Sequence, residues 1–135
     1  GGGYNHRFGL YDMVMIKDNH VDFAGGIEKA VTKTLQYLNE KGKKLKIEVE
    51  VRNFNELHHV LSLTGVDRVM LDNFTPMDLK KAIQLIDHKI ETEASGGISI
   101  NTIREYAESG VDYISVGALT HQIKSLDISL KAVHK

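Results

Sequence analysis

The stretch Lys46-Ile47-Glu48-Val49-Glu50-Val51 decides the class of fold. Charged and branched apolar residues alternate in it with a period of two, which is typical of a β-strand with two unlike faces. Glu48 and Glu50 would share one face, and the apolar residues beside them would share the other. If helices covered both faces, the two carboxylates would be buried without partners at a high cost in free energy. The strand therefore favours a sheet with one polar face.

Four further short runs have the character of strands and end in polar residues or glycine. With the opening stretch, the runs are Met13 to Ile16, Lys46 to Val51, Arg68 to Leu71, Ile90 to Ala94 and Tyr113 to Val116. Landmarks at their ends, namely Glu50, Asp72, Ser95 and Gly117, are 22, 23 and 22 positions apart. This spacing fits one strand, one helix and two loops, so the sequence indicates about five βα units.

The segments between the runs carry helical periodicity. Apolar residues recur every three or four positions from Ile27 to Leu38, and a weaker helix is indicated around Leu57. Thr75-Pro76 is a good helix start, with a capping hydroxyl and proline at the first helical position. A further helix is predicted from about Ser99 to Gly110, with a buried stripe of Ile103, Tyr106 and Ala107.

Alternating strands and helices predict an α/β fold with a parallel sheet, either doubly wound or closed into a barrel. Glu91 and Glu93 repeat the pattern of Glu48 and Glu50, and a barrel lumen would let such groups from different strands meet and pair. We therefore favour the barrel. A closed barrel of eight units takes roughly 250 residues, so five units in 135 residues predict an open or incomplete parallel (β/α) barrel.

Composition excludes several classes of function. Seventeen basic against 18 acidic residues, with no long run of one sign, argue against a nucleic-acid partner. The absence of cysteine excludes disulfide frameworks, cysteine nucleophiles and iron–sulfur clusters. No stretch approaches the ~18 apolar residues of a membrane span. We expect a soluble, cytoplasmic protein without a membrane partner.

The carboxyl ends of the strands should carry the active site, because the βα loops of such folds converge there. That rim would hold Lys17, Glu50, Asp72, Ser95-Gly96-Gly97 and Gly117. Glycine turns before helices offer backbone N–H groups to phosphate, although glycine at such turns also serves simple geometry. The two carboxylates could ligate Mg²⁺ directly or through water, could stabilise a cationic reaction centre, or could form a structural ion-pair network with Lys17.

A second group of candidates precedes the first strand. His6-Arg7 lies in a segment without strand or helix periodicity, where Arg7 could hold a planar carboxylate through two hydrogen bonds or could simply be exposed. His20 could cap its loop or touch substrate. His58, His59, His88 and His134 show no metal-ligand spacing, so we expect them at the surface.

Six stretches of the chain carry a further signal: Gly1 to Asp12, Ile16 to His20, Glu48 to Val51, Met70 to Asn73, Glu93 to Ile98 and Ser115 to His121. In this order they make the chain resemble the quinolinate phosphoribosyltransferases, the decarboxylating enzymes also known as nicotinate-nucleotide pyrophosphorylases (carboxylating). Together they extend over nearly the whole chain.

The resemblance implies a pentosyltransferase of NAD biosynthesis. Its substrates would be quinolinate and phosphoribosyl pyrophosphate, its cofactor Mg²⁺, and its products nicotinate mononucleotide, pyrophosphate and CO₂. By matching motif positions, quinolinate carboxylates would be held by His6, Arg7 and Lys17, and the 5-phosphate by Ser95, Gly96 and Gly117. The same comparison implies Lys17, Glu50 and Asp72 as catalytic residues, with Glu50 and Asp72 facing the ribose and the metal-bound pyrophosphate.

The resemblance also bears on domain organisation. It implies that residues 1–135 are part of a C-terminal α/β-barrel catalytic domain, without the N-terminal sandwich domain, the first barrel unit and a Thr-Arg-Lys segment. We expect a homodimer in the full-length enzyme and little or no activity from these residues alone. Two alternatives stay open: a related phosphoribosyltransferase acting on another nitrogen heterocycle, and a non-catalytic phosphate-binding barrel.

Overall fold

A computed structural model describes residues 2–9 and 11–119. Five strands lie side by side and all run parallel, in the spatial order β1-β2-β3-β4-β5. They are β1 (Met13–Ile16), β2 (Lys46–Val51), β3 (Arg68–Asp72), β4 (Glu91–Ser95) and β5 (Tyr113–Ile114). The predicted α/β fold with five parallel strands is confirmed. β3 ends one residue later than predicted, β4 is shifted by one residue, and β5 ends two residues before the predicted Val116. In the described part of the chain the sheet does not close.

Between Tyr11 and Leu119, five α-helices connect or follow the strands. They are α1 (Asp18–Ala24), α2 (Ile27–Glu40), α3 (Phe54–Ser62), α4 (Pro76–Ile86) and α5 (Ile103–Ala107). The predicted start at Thr75-Pro76 is confirmed, because the Thr75 hydroxyl accepts a hydrogen bond from the backbone N–H of Asp78. Among residues 2–9 and 11–119, no helix is both long and apolar enough to cross a membrane.

The helix predicted to begin near Ser99 begins four residues later. The Thr102 hydroxyl accepts from the Ser99 backbone N–H at 3.0 Å, so residues 99–102 form a turn instead of a first helical turn. The predicted buried stripe holds only in part: Ile103 and Tyr106 are partly buried and pack against the core, whereas Ala107 is exposed.

Sequential strand order explains the two unlike faces of the sheet. Right-handed crossovers between neighbours in one direction place every helix on the same face. Alternate strand residues, among them Ile47, Val49 and Val51, join helix residues such as Leu57 and Leu79 in one apolar core. Each such buried aliphatic side chain contributes roughly 1.5–3 kcal/mol to stability.

The opposite face is polar and is called the inner face below. Its residues are Lys46, Glu48 and Glu50 on β2, Arg68, Met70 and Asp72 on β3, and Glu91, Glu93 and Ser95 on β4. Strand register aligns them in rows, because Glu48 pairs with Arg68 and Arg68 with Glu91. The polar lumen inferred from the alternating glutamates is thus present as one polar face.

Two similar tripeptides, Gly65-Val66-Asp67 and Gly110-Val111-Asp112, fix where strands begin. The Asp67 carboxylate accepts from the backbone N–H of Ile47 at 2.8 Å, and the Asp112 carboxylate accepts from that of Thr92 at 2.8 Å. Each aspartate precedes one strand and caps the start of its neighbour. These bonds pin the register that brings the inner-face side chains together.

Candidate active site on the inner face

Lys17, Glu50 and Asp72 come together at the carboxyl ends of β1, β2 and β3. Burial raises the pKa of the Glu50 carboxyl, the charge of Asp72 raises that pKa further, and Lys17 acts in the opposite direction. Such mutual influence requires the three charges to be close neighbours. The structure therefore assembles the cation and the two carboxylates of the rim that the sequence predicts.

Asn73 links Asp72 to the glycine turn after β4. Its backbone is left-handed, with φ of 57°, and its side-chain amide donates to Asp72 Oδ2 at 2.7 Å. Its backbone N–H donates to the Ser95 carbonyl at 2.8 Å. Sequence reasoning did not single out Asn73, although asparagine directly after a strand is a known signal for a left-handed turn.

Gly96 is required by this close approach. Its φ is 92°, and a Cβ atom there would lie 2.8 Å from the backbone nitrogen of Asn73. Gly97 is also left-handed, at φ of 63°, but a Cβ there would meet nothing within 4 Å. The predicted phosphate seat needs one correction: α5 begins only at Ile103, so the turn at Ser95-Gly96-Gly97 offers backbone N–H groups without a helix start directly behind it.

Gly117 lies at the other side of the inner face. It begins a short 3₁₀ helix, Gly117–Leu119, and is exposed. Gly1, Leu10, Thr120 and His121 lie outside the described residues, so the first and last of the six resembling stretches are described only in part.

His6 lies beside the buried glutamates of β2 and β4. Its Nε2 atom is 2.8 Å from Glu48 Oε2 and 3.5 Å from Glu93 Oε2. The two glutamate side chains are 0% and 1% exposed, and that of His6 is 27% exposed. The sequence predicted that Glu48 and Glu93 face a polar interior, but it did not predict that His6 binds them.

Arg68 neutralises part of this acidic cluster. Its guanidinium donates to Glu93 at 3.1 Å and to Glu91 at 2.9 Å, and it stacks on the Tyr113 ring 3.9 Å from the ring centre. Lys46 pairs with Glu91 at 3.0 Å. Sequence reasoning missed Arg68, although its position in β3 gives it the same strand face as Glu91 and Glu93.

Glu48 is the most perturbed acid of the inner face. Burial raises the pKa of its carboxyl to about 8, and the neighbouring Glu93 carboxylate adds to the rise. The guanidiniums of Arg68 and Arg7 act in the opposite direction. Among the described residues, Glu48 Oε1 is buried without a hydrogen-bond partner.

Arg7 lies near the start of β1. Its guanidinium is 3.5 Å from the Met13 carbonyl oxygen and close enough to Glu48 to favour the charged carboxylate. The dipeptide His6-Arg7, predicted to face substrate, is thus placed against the inner face. His20 caps α1, because its Nδ1 accepts from the Lys17 backbone N–H at 3.0 Å.

A cavity of about 940 Å³ opens over one half of the inner face. His6, Arg68, Glu93, Tyr113 and Gly117 are among the residues that line it. Lys17, Glu50 and Asp72 do not line it. The predicted site residues therefore form two groups on one face. The cavity group contains His6 and Gly117, and the rim group contains Lys17, Glu50 and Asp72. The two groups are adjacent, because Glu48, which contacts His6, lies two positions before Glu50 on the same strand.

The rim group has the donors that Mg²⁺ prefers. Glu50 and Asp72 present carboxylate oxygens, both are partly exposed, and hard oxygen ligands suit this ion. Burial, and then the charge of Asp72, raises the pKa of Glu50, and a cation between the two carboxylates would oppose both effects.

Comparison with known proteins agrees with this geometry. Residues 1–131 match the family model for the quinolinate phosphoribosyl transferase C-terminal domain. Quinolinate phosphoribosyltransferase (decarboxylating) 1b of Nicotiana tabacum is 47% identical, over 97% of this chain and 41% of its own length. The probable nicotinate-nucleotide pyrophosphorylase (carboxylating) of Bacillus subtilis is 45% identical, over 96% of this chain and 44% of its own length.

Solved structures of nicotinate-nucleotide pyrophosphorylases also match the fold of this chain. The nicotinate-nucleotide pyrophosphorylase of Francisella tularensis superimposes with a TM-score of 0.82 at 46% identity, covering 96% of this chain and 44% of that one. The chain thus spans 41% to 44% of the length of these relatives. Because the family model extends over nearly all of it, the chain belongs to the quinolinate phosphoribosyl transferase C-terminal domain family.

Proposed function

We propose that this chain forms the barrel part of an enzyme that transfers the phosphoribosyl group of phosphoribosyl pyrophosphate to quinolinate. The products are nicotinate mononucleotide, pyrophosphate and CO₂, in NAD biosynthesis. Membership of the family supports the proposal. The observation that carries it is the grouping of Lys17, Glu50 and Asp72 at the strand ends, with the Ser95-Gly96 turn held against Asp72 through Asn73.

The pyridine dicarboxylate would be held by cations. His6, Arg7 and Lys17 are the candidates, and the guanidinium of Arg7 can bind a carboxylate through two parallel hydrogen bonds. His6 and Arg7 both lie near Glu48, and Lys17 lies at the neighbouring rim. Two anionic groups of one ring could thus be held by separate cations.

The phosphoribosyl half would be held at the rim. Backbone N–H groups at Ser95, Gly96 and Gly117 suit the 5-phosphate: two left-handed glycines follow Ser95, and successive N–H groups in such turns form anion-binding concavities. Glu50 and Asp72 would hold Mg²⁺, directly or through water, and this ion would neutralise the pyrophosphate as it leaves. The same two carboxylates lower the energy of the positive charge that develops on the ribosyl carbon.

The chemistry needs positioning more than acid or base catalysis. The ring nitrogen forms a bond to C1 of the ribose as the bond to pyrophosphate breaks. The positive ring nitrogen then accepts the electron pair of the breaking bond to the 2-carboxylate, which leaves as CO₂, and a proton takes its place on the ring carbon. Charged side chains around the ring hold it in line for both steps.

The test is turnover by the full-length protein with phosphoribosyl pyrophosphate and either quinolinate or nicotinate. We expect nicotinate mononucleotide from quinolinate only. Lys17→Ala should abolish turnover, and Asp72→Asn should lower kcat about a hundredfold. Glu28→Gln, on the exposed side of α2, should change neither kcat nor KM. A preference for nicotinate would favour the related-transferase alternative, and phosphate binding without turnover would favour the non-catalytic barrel.

Homodimer formation and a cytoplasmic location stay predictions. Plant relatives are named as chloroplastic in Arabidopsis thaliana and mitochondrial in Nicotiana tabacum. Sedimentation of the full-length protein and microscopy of a tagged copy would test the two predictions separately. The expected inactivity of the 135 residues alone is tested by the same turnover assay.

A further inference from the structure

His6 has to be held from outside its own segment. Residues 2–9 contain no strand or helix, so the local backbone gives the imidazole little support. Its Nε2 atom meets Glu48 Oε2 at 2.8 Å and Glu93 Oε2 at 3.5 Å. Glu48 lies on β2 and Glu93 on β4, on either side of β3 in one sheet, and both are buried. The ring is therefore anchored to strands β2 and β4 and not to its own loop.

Glu93, which contacts the His6 imidazole, is itself held by other side chains. Glu93 accepts hydrogen bonds from the Ser115 hydroxyl and from Arg68. Arg68 is locked in turn by two hydrogen bonds to Glu91, at 2.9 and 3.2 Å, and by the ring of Tyr113. A chain of fixed groups thus extends from strand β5 to the imidazole. Support of this kind holds a functional side chain in one orientation.

The other ring nitrogen is left for a ligand. Among residues 2–9 and 11–119, none hydrogen-bonds His6 Nδ1. The side chain keeps 27% of its surface exposed and lines the cavity of about 940 Å³. An anion in that cavity would therefore meet His6 at Nδ1, while Nε2 stays with the glutamates.

We propose that Glu48 and Glu93 are positioning residues for His6: they hold its imidazole through Nε2, so that Nδ1 is the atom presented to a substrate carboxylate. The inference deepens the proposed function and rests on it for the identity of the substrate. It assigns no contact between the two glutamates and substrate. In this arrangement Nε2 faces the Glu48 carboxyl and Nδ1 faces the substrate carboxylate.

The first test reads the imidazole directly in the full-length protein. The ¹⁵N shifts of His6, assigned by comparison with His6→Ala, should show Nε2 protonated. Quinolinate should then shift Nδ1 and leave Nε2 protonated. At a pH above about 8, where the Glu48 carboxyl is ionised, an unprotonated Nε2 in the wild-type protein would overturn the proposal, because that nitrogen could not donate to Glu48. This measurement needs no glutamate variant and does not depend on turnover.

The second test separates positioning from mere stability. Glu48→Ala should raise the KM for quinolinate about tenfold or more, because it removes one hydrogen bond that holds His6 in place. The KM for phosphoribosyl pyrophosphate should stay within about twofold, because a general loss of structure would move both constants. Glu48→Gln keeps an oxygen that accepts from Nε2, so its KM should lie closer to the wild-type value.

Glu28→Ala is the matched control, since Glu28 is exposed on α2 and far along the chain from the cluster. If the wild-type protein turns over and Glu48→Ala has the same KM for quinolinate as Glu28→Ala, the positioning role is refuted and the proposed function stands. If the wild-type protein does not turn over, the proposed function fails, and the ¹⁵N measurement still decides whether Glu48 holds His6 by Nε2.

Discussion

Replacing Gly96 with alanine places a methyl group against the backbone of the neighbouring strand end. A Cβ atom at this position would lie 2.3 Å from Asn73 Oδ1 and 2.8 Å from the Asn73 backbone nitrogen. Both distances are too short for a carbon atom, which would overlap sterically with the oxygen and the nitrogen. The Asn73 nitrogen cannot move away freely, because it donates to the Ser95 carbonyl at 2.8 Å.

Three costs add for this substitution. A non-glycine residue at φ of 92° costs roughly 1–2 kcal/mol. Overpacking against Asn73 costs about 1–3 kcal/mol, and weakening its hydrogen bond to Ser95 costs about 1 kcal/mol. We expect Gly96→Ala to lower the free energy of unfolding by about 3–6 kcal/mol, a large part of the 5–15 kcal/mol that holds a typical domain folded.

Gly97→Ala is the matched control. It adds the same methyl group one position later, at φ of 63°, with nothing within 4 Å. Only the left-handed backbone penalises it, by about 1 kcal/mol. Urea denaturation followed by far-ultraviolet circular dichroism measures both, since the chain contains no tryptophan for fluorescence. If the two variants agree within about 0.5 kcal/mol, the close approach of the Gly96 turn to Asn73 does not limit stability and the reasoning is wrong.

The same denaturation assay checks two further predictions. Arg68→Met should lower the free energy of unfolding by about 3–5 kcal/mol, because it leaves the buried Glu93 without its cation. A loss no larger than that of Arg104→Met, at an exposed site, would contradict the role given to Arg68. Thr75→Ala should cost about 1 kcal/mol through loss of the cap of α4, and an effect equal to that of Thr64→Ala in an exposed turn would show that the cap contributes nothing.

The fold could be predicted because its signals are local and repeated. Alternation in Lys46 to Val51 and the recurrence of strand ends every 22 or 23 residues follow from the geometry of single units. The start of α5 could not be predicted in this way. Ser99 and Thr102 hydrogen-bond each other in a turn. Local bonds from serine and threonine side chains compete with the backbone hydrogen bonds of a helix.

The candidate site was predictable where topology decides it. Strand ends converge in any parallel α/β fold, so Lys17, Glu50 and Asp72 follow from the strand assignment alone. The contact of His6 with Glu48 depends on the path of a segment without regular structure, which no periodicity encodes. Arg68 is an intermediate case, since its strand face could be read from the sequence once β3 was paired with β4.

The strict division of β2 into an apolar and a polar side has an evolutionary consequence. Ile47, Val49 and Val51 can stay constant to preserve folding while the residues between them change. A descendant of this sheet could therefore acquire another substrate by substitutions at alternate positions alone, whereas a single inserted residue within β2 would exchange the two sides and destroy both. Divergence of such a domain should proceed by substitution within strands and by insertion only in the loops.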